Sequence, residues 1–552
     1  MQNYFRFLML SLLIILGLGF AQDLPADAAP LEEQVFHDAC NNTANQTTFD
    51  FSVAVYQRYC GSDLFADTLI DLDKDFNIKP ANAESWTVSE DGLTWNIKLR
   101  EGVMWNDGTP VTAYDYEATY RYSASPEAAW DFTWFYAGMV KNWNEVVAGE
   151  LPVEELGIKA VDDLNLQITT VDVFPPLPGV LKFAFLLQKK ALEEHGPLYN
   201  NDPATSVSSG PYMLEEIDPG NRIVLVANPS YTGFRPPRLQ RLEFIYMAPD
   251  TFFAAFQNGE IDRVPYEQLS PADFSIIESD PVLKDNYLRH FGDFRTDYLL
   301  FDTNNPPFND LNVRKAFAYA VDRDAIVKNV YGEIKAMPAH SLLMPGFPAS
   351  DTTDELAGYQ NYDCDKAKQY LADAGFPNGE GFPALEMWMR GEGPAMSSVY
   401  QASATSIAQC LGISIEVSNK DGKVYMDALL ARPTQLQFGS ISYGMDFLDP
   451  SNMLGIFVST GRHSWKNESY DQLVKEAGSL VGDDAKRTQM FKDAEKILVD
   501  DVGGVFIAHR WQGDLFQPYV QGDSFRVPDS NGISGWHWGN DWVWGNMYIA
   551  KK

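Results

Sequence analysis

A chain of 552 residues is too long for one ordinary hydrophobic core and implies two to four domains. With 45% hydrophobic and 21% charged residues it is no mainly disordered polypeptide. A formal net charge of -34 argues against a general nucleic-acid binder and against attachment to an anionic membrane surface; it implies a soluble, self-repelling exterior. Aromatic content is high, with 13 Trp and 26 Tyr, which suits the walls of a ligand site and equally suits a large core.

Arg6 gives a short positive start, and Phe7 to Phe20 is an apolar run of secretory length. Gly19 and Ala21 supply small residues before Gln22, so 1–21 reads as a cleaved signal peptide. No cysteine follows until Cys40, which argues against a lipid-modified cysteine at the cleavage point. No other apolar stretch reaches spanning length, so the mature protein is expected in the periplasm or another extracytoplasmic compartment. Cys40, Cys60, Cys364 and Cys410 allow three disulfide connectivities, of which Cys40 with Cys60 and Cys364 with Cys410 is the pairing nearest in sequence.

In chain order, Trp95 to Leu99 alternates like a half-buried strand, and the run from Asn221 reads as a strand ending in a turn. Val313, Ala316, Phe317, Ala320 and Val321 form one helical stripe, with Asp310 or Asn312 as its cap. Ala367, Tyr370, Leu371 and Ala374 form a second stripe, stopped by Gly375. Asp484 to Val499 is a third helix. Helices interleaved with strands over this length indicate α/β lobes.

Signatures of catalysis are missing: no phosphate-binding glycine loop, no zinc-protease pair of histidines, no nucleophile elbow. The seven histidines are scattered, and none stand at metal-ligand spacing. Asp71, Asp73 and Asp75 match three positions of a calcium loop, but Phe76 stands where glycine is needed and Asn82 where a bidentate glutamate is needed. A solvated acidic turn between two strands is the expectation there. No catalytic residue, metal or cofactor is indicated.

Five segments carry a family resemblance: Ile78 to Tyr122, Ser208 to Tyr231, Phe308 to Val327, "AKQYLADAGFPNGEGFP" and "DFLDPSNML". Together, and in this order, they resemble the peptide- and nickel-binding family (family 5) of ABC solute receptors. Val146 to Asp163 and the chain end are most similar to its oligopeptide-binding members, whereas Pro528 to Trp544, rich in Gly and Trp, departs from their pattern. The resemblance implies an α/β two-lobed periplasmic-binding-protein fold, class II-like, with an extra subdomain on lobe one. Lobe one would comprise 22–68, 207–300 and 508–552, the extra subdomain 69–206, and lobe two 301–507. It implies a monomer that captures a short peptide in an interlobe cleft and delivers it to the permease subunits of an ABC importer.

A receptor for peptides of many sequences must hold what is constant, the backbone and the charged amine. A buried ammonium needs a carboxylate. The resemblance places that acid at Asp446, a pocket aromatic at Tyr443, and ligand-facing backbone at Gly444 and Met445. It places a further aromatic contact near Trp134, with Trp130 packing in the core. Asp449, just before Pro450, reads as a helix cap. Trp536, Trp538, Trp542 and Trp544 read as packing of a C-terminal hairpin. An oligosaccharide receptor of the same family is the alternative, since aromatic walls suit sugar rings; a secreted glycosidase or peptidase is a third reading.

Overall fold

A computed structural model describes residues 24–42, 44–353 and 355–552. The expected signal peptide lies outside the described residues. The chain forms two compact units, one running to Arg289 and resuming at Gly513, the other His290–Gln512.

The first unit contains a four-stranded sheet in the order Val35–Asn41, Arg241–Met247, Arg222–Ala227, Tyr212–Asp218. Its first pair is parallel and the others antiparallel. Phe36, Leu225, Leu242 and Phe244 supply its core, which the C-terminal residues Val543, Trp544 and Met547 complete. Within 69–206 a separate antiparallel sheet runs Ala83–Val88, Thr94–Leu99, Asn165–Thr169, Ile158–Asp162. The strand expected at Trp95 is Thr94–Leu99, its alternate residues buried. Helix Ala113–Ala124 packs on this sheet and begins with a reciprocal cap between Thr112 and Asp115.

Asp73 lies in a turn between strands Ile70–Leu72 and Ile78–Pro80, where its carboxylate accepts from the N–H groups of Asp75 and Asn77, both at 2.9 Å. Asp71 is different: it is fully buried and ion-paired to Lys182 at 2.8 Å, so the acidic turn is solvated only in part. The tryptophans near the C-terminus are packed as expected, but not in a hairpin. Trp542–Asn546 is a short helix, and the pairing of Val520–Gln521 with Tyr548–Ile549 encloses the segment. Trp536 packs edge-on against Trp544 and Trp542 edge-on against Phe234, while Trp538 packs at a tilt on Phe183.

The second unit is built on a six-stranded mixed sheet in the order Ala336–Pro338, Val505–Arg510, Thr296–Phe301, Phe438–Tyr443, Leu385–Arg390, Ile415–Lys420. Strands Thr296–Phe301 and Phe438–Tyr443 are buried at every residue, as helices on both faces require. Helix Leu311–Ala320 carries the predicted stripe, and the Asp310 carboxylate caps it by accepting from Asn312 N–H at 2.8 Å. Helix Cys364–Asp373 ends before Gly375, whose φ of 94° is the left-handed stop. The third predicted helix is Asp484–Asp500. Sequence resemblance begins lobe two at 301 and ends it at 507. The second unit extends to His290 and Gln512, because strands Thr296–Phe301 and Val505–Arg510 pair with each other inside its sheet. The disulfides are Cys40–Cys60 and Cys364–Cys410, one in each unit.

Candidate functional site

Strand Phe438–Tyr443 ends at Tyr443, and the chain then turns through Gly444, Met445 and Asp446 toward helix Pro450–Gly455. Glycine is required in the turn: a Cβ on Gly444 would stand 2.0 Å from Oδ2 of Asp293. The N–H of Met445 donates to the carbonyl of Asp293 at 2.7 Å, and the Met445 side chain is buried. These two contacts clamp the turn and fix where Asp446 emerges.

Asp446 is half-buried. Its Oδ2 accepts from the Tyr443 hydroxyl at 2.6 Å and from Asn452 Nδ2 at 3.2 Å. Its own N–H donates to Asn452 Oδ1 at 2.8 Å. No cation is bonded to it among the described residues. The negative charge is therefore steadied by neutral dipoles and left uncancelled. Burial, with Asp446 beside it, pushes the Tyr443 phenol well above its ordinary range, so it remains a donor. The guanidinium of Arg462 lies 4.6 Å from the centre of the Tyr443 ring, a cation–π contact on the ring face.

Asp449 behaves otherwise. It caps helix Pro450–Gly455 by accepting from Ser451 N–H at 2.9 Å, and it is ion-paired to Arg487 at 2.8 Å. Both its charge and its lone pairs are spent on the fold.

Trp134 belongs to the first unit, in the short helical turn Thr133–Phe135, and is 48% exposed. It packs edge-on against Phe132 at 4.8 Å. Trp130 is a core residue: it is buried, its Nε1 donates to the carbonyl of Phe51 at 3.0 Å, and its ring stacks on Tyr136. Tyr443, Gly444, Met445 and Asp446 are contiguous in the second unit, whereas Trp134 belongs to the first. The N–H of Met445 is committed to Asp293.

The sequence pattern of the family described as "Bacterial extracellular solute-binding proteins, family 5 Middle" matches residues 77–465. The chain belongs to this family. Over 92% of its length and 94% of the relative's, it is 27% identical to the probable deoxycholate-binding periplasmic protein YgiS of Escherichia coli. It is 26% identical to the periplasmic oligopeptide-binding protein OppA of the same organism, over 97% and 96% of the two chains. Among solved structures, the periplasmic murein tripeptide binding protein MppA superposes with a TM-score of 0.80 at 22% identity, covering 96% of this chain and 99% of that one. The fold of this family 5 chain is therefore that of the two-lobed periplasmic binding proteins.

Three members of the site were not anticipated. Asn452 lies on the first turn of a helix whose cap drew attention to Asp449 instead. Asp293 and Arg462 are distant in sequence, and no local pattern links them to Asp446. Among the described residues no group of three or more His, Cys, Asp or Glu could hold a metal ion, and no helix is long and apolar enough to cross a membrane.

Proposed function

We propose that this chain is the extracytoplasmic binding subunit of an ABC importer, and that it captures short peptides with Asp446 receiving the ligand's ammonium group. The observation that carries the reading is the Asp446 carboxylate: half-buried, oriented by Tyr443 and Asn452, and bonded to no cation among the described residues. An ammonium brought to that point gains a charge-assisted bond to a preorganised acceptor. The carbonyl oxygens of Gly444 and Met445 are the neighbouring acceptors for a peptide N–H. Two of the three relatives named above are called peptide binders, and a neutral sugar would leave the Asp446 charge unanswered; both points favour the peptide over the oligosaccharide.

Binding is the whole task in this reading. The loaded protein, a monomer secreted through a signal peptide at 1–21 that is then cleaved, would pass its ligand to membrane permease subunits without chemical change, and it would have no nucleic-acid partner. Peptide titration by calorimetry tests the site: Asp446→Asn should weaken binding of free-amine peptides by about a hundredfold. N-acetylated peptides should bind the parent protein as poorly as free-amine peptides bind the variant. Equal affinity of parent and variant would remove Asp446 from the site. Mass spectrometry of whatever copurifies with the native protein tests the ligand class directly.

A further inference from the structure

The two disulfides differ in how they meet the surface. In the second unit, a cavity of 530 Å³ has both Cys364 and Cys410 in its wall, together with Ile326, Tyr362 and Ala402. Cys364 is half-buried and Cys410 is 6% exposed, so the bridge is screened from bulk solvent and met from the cavity. In the first unit, a cavity of 380 Å³ has Cys60 in its wall but not Cys40. Cys40 lies on strand Val35–Asn41, packed in the core with Phe36 and Leu242 at 1% exposure.

Opening a disulfide by exchange asks two things of a fold. A thiolate must reach one sulfur, and the other sulfur must leave as a thiolate. A thiolate in an apolar core is starved of solvation, so a sulfur buried there is a poor leaving group. Cys40–Cys60 meets the first demand at Cys60 and fails the second at Cys40. Cys364–Cys410 meets both, since whichever sulfur is attacked, the other lines the same cavity.

The cavity also selects by charge. Among the described residues, Asp322 is the one charged group that lines it. The Asp322 carboxylate accepts from Ala325 N–H at 3.0 Å and so caps the turn Arg323–Ile326. Arg323, next in the chain, is buried and donates to the carbonyls of Ala318, Ala339 and Phe506. A negative cavity in a chain of net charge -34 repels an anionic thiol and admits a neutral or cationic one.

We propose that Cys364–Cys410 is a thiol-exchange site, modified by small neutral or cationic thiols that enter this cavity. The thiolate attacks one sulfur, the S–S bond breaks, and the other sulfur leaves as a thiolate that takes up a proton. The product is a mixed disulfide and one free cysteine. A second thiol then frees the other cysteine and carries off the oxidised reagent as its own disulfide. The tie between helix Cys364–Asp373 and helix Pro394–Leu411 is thereby undone. The site lies within the second unit and does not depend on what Asp446 binds.

Cysteamine and 2-mercaptoethanesulfonate serve as cationic and anionic probes on the native protein, compared at equal thiolate concentration. Acid quenching, alkylation and peptide mapping by mass spectrometry read each bridge separately. With cysteamine, Cys364–Cys410 should open about tenfold faster than Cys40–Cys60, or more, while circular dichroism shows the parent fold retained. Cysteamine should outpace the sulfonate at this bridge. Asp322→Asn, which keeps the cap, should cut that preference by about threefold. Equal rates at the two bridges would mean opening through unfolding and would overturn the proposal, as would a faster Cys40–Cys60. A charge preference left intact in Asp322→Asn would put the thiol's route outside the cavity and overturn it too.

Discussion

The buried ion network of the first unit and the Asp446 turn of the second use the same chemical groups to opposite ends. In the network, Arg235 is bonded to Asp67 at 2.8 Å and lies 3.6 Å from Asp541. Lys182 bonds both Asp541 and Asp71, at 2.5 and 2.8 Å. Burial works against the Asp541 charge, yet Lys182 and Arg235 outweigh it and hold its carboxyl below the ordinary range. Every charge there has an opposite charge against it, and the network ties the C-terminal segment to the 69–206 region. Among the described residues Asp446 has only a phenol and an amide. A carboxylate satisfied by cations is finished with its work in the fold; one satisfied by neutral dipoles keeps a charge that, in the reading proposed above, the ligand answers.

The comparison breaks most visibly if the network is cut. Arg235→Ala leaves Asp67 without its cation in a dry place, while Asp541 keeps Lys182, and should cost about 3–5 kcal/mol in urea unfolding. Asp446→Asn should leave stability within about 0.5 kcal/mol of the parent, as for a substitution that strands no buried charge, while lowering peptide affinity by about a hundredfold, or about 2.7 kcal/mol. A large stability loss in Asp446→Asn would mean that the turn, too, is structural, and the distinction would collapse.

Asp449 and Asp446 show how far the sequence could be read. Asp before Pro is a local signal with a local cause, and the cap is where that signal places it. The helices with clear stripes, at 311–320 and 364–373, were legible for the same reason: their period and their stops are written within a dozen residues. Asp446 was reachable only through family resemblance, since nothing within three residues marks it off from the other acids. Asp293 was not legible at all. Asp293 matters because Gly444 comes to lie against it across 151 positions of sequence. The C-terminal tryptophans were correctly read as packing, but a helix of five residues enclosed by a two-residue ladder leaves too short a pattern to announce itself.

Glu495 sharpens the comparison by a third route to burying an acid, which is not to ionise it. It is fully buried, one oxygen accepting from Leu343 N–H at 2.7 Å, the other without a partner among the described residues. Burial pushes its carboxyl up to about 8. Below the unfolded value of about 4.5 both states are protonated and the group is neutral to stability. As pH rises from there to 8 the unfolded chain gives up the proton first, so stability falls, and above 8 the loss is complete. Glu495→Gln should remove about 2 kcal/mol of that decline, after allowing for relaxation around the site. Asp50, pushed up to about 7 by burial in the first unit, should leave a residual slope in the variant. Urea midpoints at several pH values measure both, and a slope left unchanged by Glu495→Gln would show that Glu495 is ionised after all.

The smallest effect is the most discriminating. Tyr443 donates to Asp446, so Tyr443→Phe should lower peptide affinity by about three- to tenfold, the value of one hydrogen bond to a charged acceptor still assisted by Asn452. The same loss would follow if the phenol touched the ligand itself. The two origins separate in a double-mutant cycle: a hydroxyl that works only by holding the Asp446 carboxylate loses its effect once that carboxylate has become an amide. Tyr443→Phe in the Asp446→Asn background should therefore change affinity by less than about twofold, on the scale at which independent sites simply add. A full three- to tenfold loss in that background would make Tyr443 a direct ligand contact, and Asp446 would then have to be held in place by Asn452 alone.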